Sequence, residues 1–325
     1  MEQSITRRDL LNKSIAAAAT AAVAGSAAGV ALGADSSKPT ASSEFPCAMI
    51  GKAKLSRMML GGNLVSGYLH CRDLKYVHSL FRAYVTEEKM MQTLALAEQY
   101  GINTVFECGI EFVEKYNRRF GGHMQILPHI EVKRDQTEAE LKDHIKAQVD
   151  TGAVALYVWG VSSDQVVATG NAHLLGRAVE LAKLHGLPIG VGTHSLLVVQ
   201  KCEELKIPVD FYVKTLHSDN YPSATPKDLR KEFIWMTGGK GWYDNMWCIN
   251  PEETIEFMKS VTKPWIAFKV LAAGAFAPSE GFNYAFKNGA DLIAVGMFDF
   301  QIKENCGTAR QAIRDNQNRE RPWRV

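Results

Sequence analysis

The stretch TEEKMMQTLALAEQYGINTVFE (86–107) reads as a helix, a stop and a strand in immediate succession. Thr86 supplies a side-chain oxygen that can cap the first free amides of a helix. Gly101 ends that helix, because glycine alone enters the left-handed turn without steric cost. The residues NTVFEC (103–108) then form a short, mostly apolar run of strand type, with the single acid Glu107 near its end.

The same order recurs along the chain. TEAELKDHIKAQVDT (137–151) opens with a capping box, Thr137 to Glu140, and stops before Gly152. HLLGRAVELAKLH (173–185) stops before Gly186, PEETIEFMKSV (251–261) starts with Pro251, and SEGFNYAFKN (279–288) stops before Gly289. QIKENCGTARQAI (301–313) closes the series, and FVEKYNRRF (112–120) and LLVVQKCEELK (196–206) are shorter members. Strand-type runs lie at 58–63, 103–108, 124–132, 153–160, 188–195, 209–217, 265–274 and 291–298. Eight strands, each followed by a helix, predict an α/β chain folded as a single (β/α)8 TIM barrel over residues 55–315. A doubly wound open sheet is disfavoured, since no G-x-G-x-x-G follows the first strand.

Two loops are long for such a barrel, 63–85 and 218–250. The first carries Tyr68, His70, Arg72, Asp73 and Tyr76, and the second the run GGKGWYDNMW (238–247) after Trp235. Aromatic faces over a polar pocket suit the apolar faces of sugar rings, although aromatics also serve simply to pack loops down.

Strand side chains alternate between faces. Taking the more apolar parity as helix-facing predicts these inward residues: Val105 and Glu107; Gln125, Leu127, His129 and Glu131; Ala155, Tyr157 and Trp159; Gly190, Gly192 and His194; Tyr212 and Lys214; Ala267 and Lys269. The polar members gather at the C-terminal strand ends, where barrel active sites lie. Any one of them could be a structural ion pair, but buried charge is costly, so convergence of carboxylates, imidazoles and ammonium groups points to a site. Glu107, His194, Lys214 and Lys269 are the catalytic candidates, and Asn63, His129, Trp159, Trp242 and Tyr243 the substrate-binding ones. Glu107, Glu131, His129 and His194 could instead hold one divalent metal, although no compact His spacing supports that set. No dedicated metal site is therefore assigned.

Outside the barrel, SITRRDLLNKS precedes the Ala- and Gly-rich IAAAATAAVAGSAAGVALGA. Arg7 and Arg8 followed by Leu10 and Leu11 resemble a twin-arginine export signal, expected to occupy residues 1–34 with cleavage near Ala34. That implies a twin-arginine translocase as a transient partner, a periplasmic or otherwise exported location, and no stable membrane span after cleavage. Residues 35–54 are expected to be linker and barrel entry, and 316–325 a solvated basic tail. Hydrophobic residues make up 46% and charged ones 22%, with a net charge of +2, which gives no electrostatic footprint for nucleic acid. Six cysteines show no C-x-x-C spacing; Cys108 and Cys202 sit in apolar contexts, and a disulfide among the others is compatible with export.

Two resemblances follow from these segments. LSRMMLGGN (55–63), the 86–107 unit, LGRAVELAKLHGLPIGVGTHS (175–195) and VGMFDFQIKENC (295–306) resemble the aldo-keto reductase superfamily. That resemblance implies NAD(P) as cofactor, with Glu304 and Asn305 holding its adenine, and a carbonyl-bearing or sugar-like substrate. It departs from the family at the chemistry. Glu107 stands where the Asp of the catalytic tetrad would be and no Tyr follows at the usual interval. Trp159 replaces a His, and Gln301 replaces the Arg for a 2′-phosphate. DFYVKTLH (210–217) and residues 268–296 resemble deoxyribose-phosphate-type class I aldolases, which implies Lys214 as a Schiff-base nucleophile with Lys269 lowering its pKa. A barrel without the tetrad is also what a non-catalytic carbohydrate-binding protein would show.

Overall fold

Eight parallel strands close on themselves in the computed structural model, which describes residues 45–71, 74, 76–231 and 246–325. The expected signal peptide, residues 35–44, Arg72, Asp73, Trp235 and the candidate residues Trp242 and Tyr243 lie outside the described residues.

An antiparallel hairpin comes first, β1 (Cys47–Ile50) and β2 (Ala53–Ser56). The barrel strands are β3 (Met58–Gly61), β4 (Thr104–Glu107), β5 (Gln125–Ile130), β6 (Leu156–Val158), β7 (Ile189–Thr193), β8 (Phe211–Thr215), β9 (Trp265–Phe268) and β10 (Leu292–Val295). They pair in chain order, and β10 closes the ring between β9 and β3. Helices α1 (Gly62–Val65), α2 (Tyr76–Tyr84) and α3 (Glu87–Gln99) follow β3, α4 (Ile110–Phe120) follows β4, and α5 (Glu138–Asp150) follows β5. Then come α6 (Gly160–Ala168) and α7 (His173–Lys183), α8 (Leu196–Glu204), α9 (Pro251–Ser260), α10 (Pro278–Lys287) and α11 (Asp299–Asp315). Thr86 caps α3 by accepting from the Lys89 amide, and the capping box of Thr137 and Glu140 is formed. The long 63–85 segment is partly helical, and α6 was not evident from the sequence.

Two apolar layers hold the barrel. Outside the strands, Leu60, Val105, Ile126, Val158, Val191 and Ile293 pack with the helices. Inside, Met59, Phe106, Leu127, Tyr157, Phe211 and Phe268 form a separate core that includes Ala48, Ile50, Ala53 and Leu55 of the hairpin. The hairpin thus plugs the N-terminal end and forms the barrel-entry part of residues 35–54. No disulfide joins any of the six cysteines.

The inside parity is as expected on β5, β6 and β7 and reversed on β4, β8 and β9. Val105, Tyr212 and Ala267 face the helices, while Phe106, Phe211, Val213, Ile266 and Phe268 face the interior. Strands of a parallel barrel are apolar on both faces, so one polar residue does not mark the inner one.

The C-terminal segment is not a solvated tail. Arg319 and Arg321 are both buried and pair with Asp291 at 2.8 Å, at the N-terminal side of β10. Arg57 and Arg319 lie 4.3 and 3.6 Å from the Trp323 ring centre. Arg57 also bonds the Val325 carbonyl. No helix among the described residues is long and apolar enough to cross a membrane.

Candidate active site

The C-terminal rim carries two adjoining cavities, of about 610 and 280 Å³. Asn63, His70, Glu107, Trp247, Phe268 and Lys269 line both.

Glu107 reaches this rim by an unusual route. It follows the inward Phe106, so plain alternation would turn it toward the helices. Its φ of +83° lies in the left-handed region that side chains avoid, and the chain turns there into Gly109, which starts α4. Glu107 Oε1 accepts from Trp159 Nε1 at 2.9 Å. The Trp159 ring in turn stacks on His129, with centroids 5.2 Å apart. Lys269 repeats the device after β9: it follows the inward Phe268 and has φ +60°. Its Nζ bonds His70 Nε2 and sits 4.4 Å from the Trp247 ring centre. His70 makes edge contacts with both Tyr68 and Trp247.

His194 follows β7 and faces the larger cavity. Its Nδ1 lies 2.7 Å from Asp164 Oδ2. Asp164 is fully buried and also accepts from the His194 and Ser195 amides, with the Thr193 hydroxyl 2.5 Å from its Oδ1. A carboxylate so surrounded fixes the tautomer: Nδ1 carries the hydrogen and Nε2 is the accepting nitrogen. Burial holds the His194 imidazole below its ordinary range, with Asp164 pulling the other way. Burial lowers His129 as well, opposed by Glu107 and Glu131.

The larger cavity is also lined by Tyr157 and Cys108. Tyr157 has space because Gly192 of β7 lies beside its ring; a Cβ there would come within 2.7 Å of the ring. Burial pushes the Tyr157 phenol well above its ordinary value and the Cys108 thiol up to about 11, so both are neutral hydroxyl- and thiol-type groups at neutral pH.

Among the described candidates, Asn63, Glu107, His129, Trp159, His194 and Lys269 therefore share the larger cavity. Lys214 does not, contrary to the parity expectation. It lies on the helix side of β8, fully buried, donating to Thr215 O at 3.0 Å and Thr215 Oγ1 at 2.9 Å. A Schiff-base role would need it at the mouth, and the Lys214 reading loses its geometry. Glu131 pairs with Lys133 at 2.9 Å. Among the described residues, no group of three His, Cys, Asp or Glu side chains is placed to hold a metal ion, so the four-residue metal set is not assembled.

The NAD(P) contacts implied by resemblance do not fit either. Gln301 lines the smaller cavity, but its Oε1 accepts from the Phe298 amide. Glu304 is exposed and Asn305 is buried at 3%, and neither lines either of these two cavities. Asp299 occupies the first turn of α11 and pairs with Lys89 at 2.7 Å. An anion there would meet a carboxylate, and the nearest cation is already engaged.

Sequence reading missed Asp164. It lies on α6, whose residues Ser162, Ser163 and Asp164 are all buried, so no amphipathic pattern announced the helix. A single acid in the apolar context VSSDQVVA was the available signal.

No protein-family model and no curated protein matches the sequence. Among solved structures, the barrel is similar to a Pseudomonas aeruginosa protein provisionally named an aldo-keto reductase. Identity is 15% at a TM-score of 0.55, covering 82% of this chain and 94% of that one. A second such structure gives 15% and 0.55, covering 83% and 97%. Similarity to a truncated 3-deoxy-D-arabino-heptulosonate 7-phosphate synthase from Thermotoga maritima is lower, 9% and 0.45, over 84% and 91%. The likeness to the first two is one of fold: this chain is an α/β TIM barrel of aldo-keto-reductase-like architecture.

Proposed function

We propose that the barrel mouth is the active site of an exported enzyme that transfers protons on a carbonyl-bearing, sugar-like small molecule. The observation that carries this reading is the His194–Asp164 pair, aimed into the same cavity as Glu107 and Lys269. Its lowered pKa leaves the imidazole neutral near pH 7, the form that accepts a proton. His194 Nε2 takes the proton from the carbon next to the carbonyl; that C–H bond's electron pair moves to form the enolate. Lys269 stabilises the negative oxygen and is itself held by His70 and Trp247. Return of the proton to the same carbon gives exchange or epimerisation; return to the former carbonyl carbon, with the proton of the neighbouring hydroxyl passed to the other oxygen by Glu107, gives isomerisation. Glu107, oriented by Trp159, accepts a substrate hydroxyl, and the Trp159 and Trp247 rings offer faces for the ring of the sugar.

The test is deuterium uptake from D2O by a panel of aldoses and ketoses, without added cofactor, read by mass spectrometry. The wild-type protein is expected to label at least one of them. His194→Ala and Asp164→Asn, checked for folding by circular dichroism, are expected to slow uptake about 10²–10⁴-fold. Uptake by no member, or equal uptake by the variants, overturns the reading; sugar binding without uptake would mark a carbohydrate-binding barrel instead. Support for export comes from Arg7, Arg8 and the apolar stretch after them. The mass of the mature protein from its native compartment is expected to begin near residue 35, and an intact N-terminus would contradict export.

A further inference from the structure

The two cavities meet at the proposed reacting groups but differ in chemistry. The larger one is polar and aromatic, with Tyr68, His129, Tyr157, Trp159 and His194 on its walls. The smaller one is walled by Leu64, Leu69, Val270, Leu271, Val295 and Phe298. Apart from the shared residues, Gln301 is its polar side chain among the described residues, and Gln301 already caps α11. Gly61, Gly62, Gly274 and Gly296 leave further stretches of that wall bare. Away from the shared residues, the side chains of this chamber offer a polar or charged group few partners for the water it loses, whereas an apolar group gains by burial.

We infer that the ligand is bipartite: a sugar-like ring in the larger cavity joined to an apolar aryl or alkyl group in the smaller one. The linkage lies beside Glu107 and Lys269, which both cavities share. This rests on the proton-transfer reading of the mouth and narrows its substrate class to a glycoside whose sugar ring itself carries a carbonyl and whose aglycone is apolar; plain pyranosides serve as its binding probes. The smaller chamber is then a specificity pocket, with Gly296 setting its depth. A Cβ at Gly296 would have Leu64 at 3.6 Å as its nearest neighbour, so a larger side chain enters the chamber without a backbone clash.

Isothermal titration of the full chain with a panel of pyranosides, each as methyl and as phenyl glycoside, tests the inference. At least one phenyl member is expected to bind ten-fold or more tighter than its methyl partner, the effect of burying a ring. Gly296→Val is expected to cut that phenyl-to-methyl ratio below two-fold, and Leu69→Ser, which adds no bulk, to lower it about three-fold. Equal affinity of methyl and phenyl members, failure of the whole panel to bind, an unchanged ratio in both variants, or NAD(H) competing with the phenyl glycoside would each overturn it. Deuterium uptake by free sugars with no phenyl preference would overturn the bipartite ligand alone and leave the proton-transfer chemistry standing.

Discussion

The two ends of the barrel both bury charge, in opposite ways. At the floor, every nitrogen of the Arg321 guanidinium donates: Nε to Met258 O, Nη1 to Gly289 O and Asp291 Oδ2, Nη2 to Val261 O and Lys263 O. Asp291 accepts in addition from Arg319, the Arg324 amide and the Trp265 amide. At the rim, Glu107 and Lys269 are held in left-handed backbone conformations. The Arg321–Asp291 pair is fully hydrogen-bonded, although Arg319 Nε, Trp323 Nε1 and Arg324 Nε beside it have no partner among the described residues; such a satisfied buried pair resists change and serves stability. Backbone strain persists where the surroundings over-determine it, and that is commonly where chemistry is done. The floor fastens the C-terminus to the barrel, and the rim holds reactive groups ready.

The most severe way to break this contrast is at the floor. Arg321→Met removes one partner of a buried, hydrogen-bonded pair and leaves Asp291 and four carbonyls short of donors. The expected loss is about 3–5 kcal/mol of unfolding free energy, read from urea denaturation. His194→Ala at the rim is expected to lose far less stability while abolishing deuterium uptake. A floor variant within about 1 kcal/mol of wild type would show that the cluster is not what secures that end.

The sequence made the barrel legible because its evidence is local and repeated. Thr86, Thr137 and Pro251 start helices, Gly101, Gly152 and Gly186 stop them, and each stop precedes an apolar run. Half of the site followed from alternation, since His129, Trp159 and His194 lie on or immediately after strands whose inner face was read with the right parity. Glu107 and Lys269 reach the rim for a reason the sequence does not display, a left-handed φ that undoes the reversed parity of their strands. Lys214 shows the cost of the same assumption without that turn. Asp164 stayed hidden because its partner is distant in sequence and its helix buries polar Ser162 and Ser163 along with its apolar residues. The floor cluster was unreadable for a further reason: NRERPWRV looks like a basic tail until Asp291, about thirty residues earlier, is brought beside it.

A second test sharpens the contrast with pH. His217 is fully buried, and its Nε2 accepts from the Trp247 and Cys248 amides at 2.9 Å while Nδ1 donates to Ser218 O. Burial pushes its pKa down to about 4. The folded value lies below the unfolded one of about 6.5, so the native state binds fewer protons than the unfolded chain between them. The stability this lends is fully present above about pH 6.5 and is lost as pH falls toward 4, amounting to about 3 kcal/mol. The lowered His194 and His129 add to the loss with the same sign. Because His217 pins Trp247, which covers Lys269, the rim is expected to loosen in acid before the floor. Urea midpoints followed from pH 7 to 5 are expected to fall more steeply in wild type than in His217→Asn. Parallel slopes would remove His217 from the account.

The smallest effect is the most diagnostic, because its sign reverses an ordinary rule. Replacing Ala by Gly normally costs a folded protein about 0.5–1 kcal/mol through chain entropy. At Lys269, Ala and Gly both delete the ammonium and its contacts with His70 and Trp247, but only Gly relieves the left-handed φ of +60°. Relief of such a conformation is worth about 1–2 kcal/mol, enough to outweigh the entropy, so Lys269→Gly should unfold about 1 kcal/mol later than Lys269→Ala. Lys206 supplies the control: it also has a positive φ, +53°, but it is exposed just past the end of α8, where helices routinely turn left-handed. The same Gly-over-Ala gain is expected there with deuterium uptake intact, whereas both Lys269 variants lose it. If Gly proves less stable than Ala at Lys269 but not at Lys206, the rim holds no stored strain, and the lysine's position needs no functional explanation.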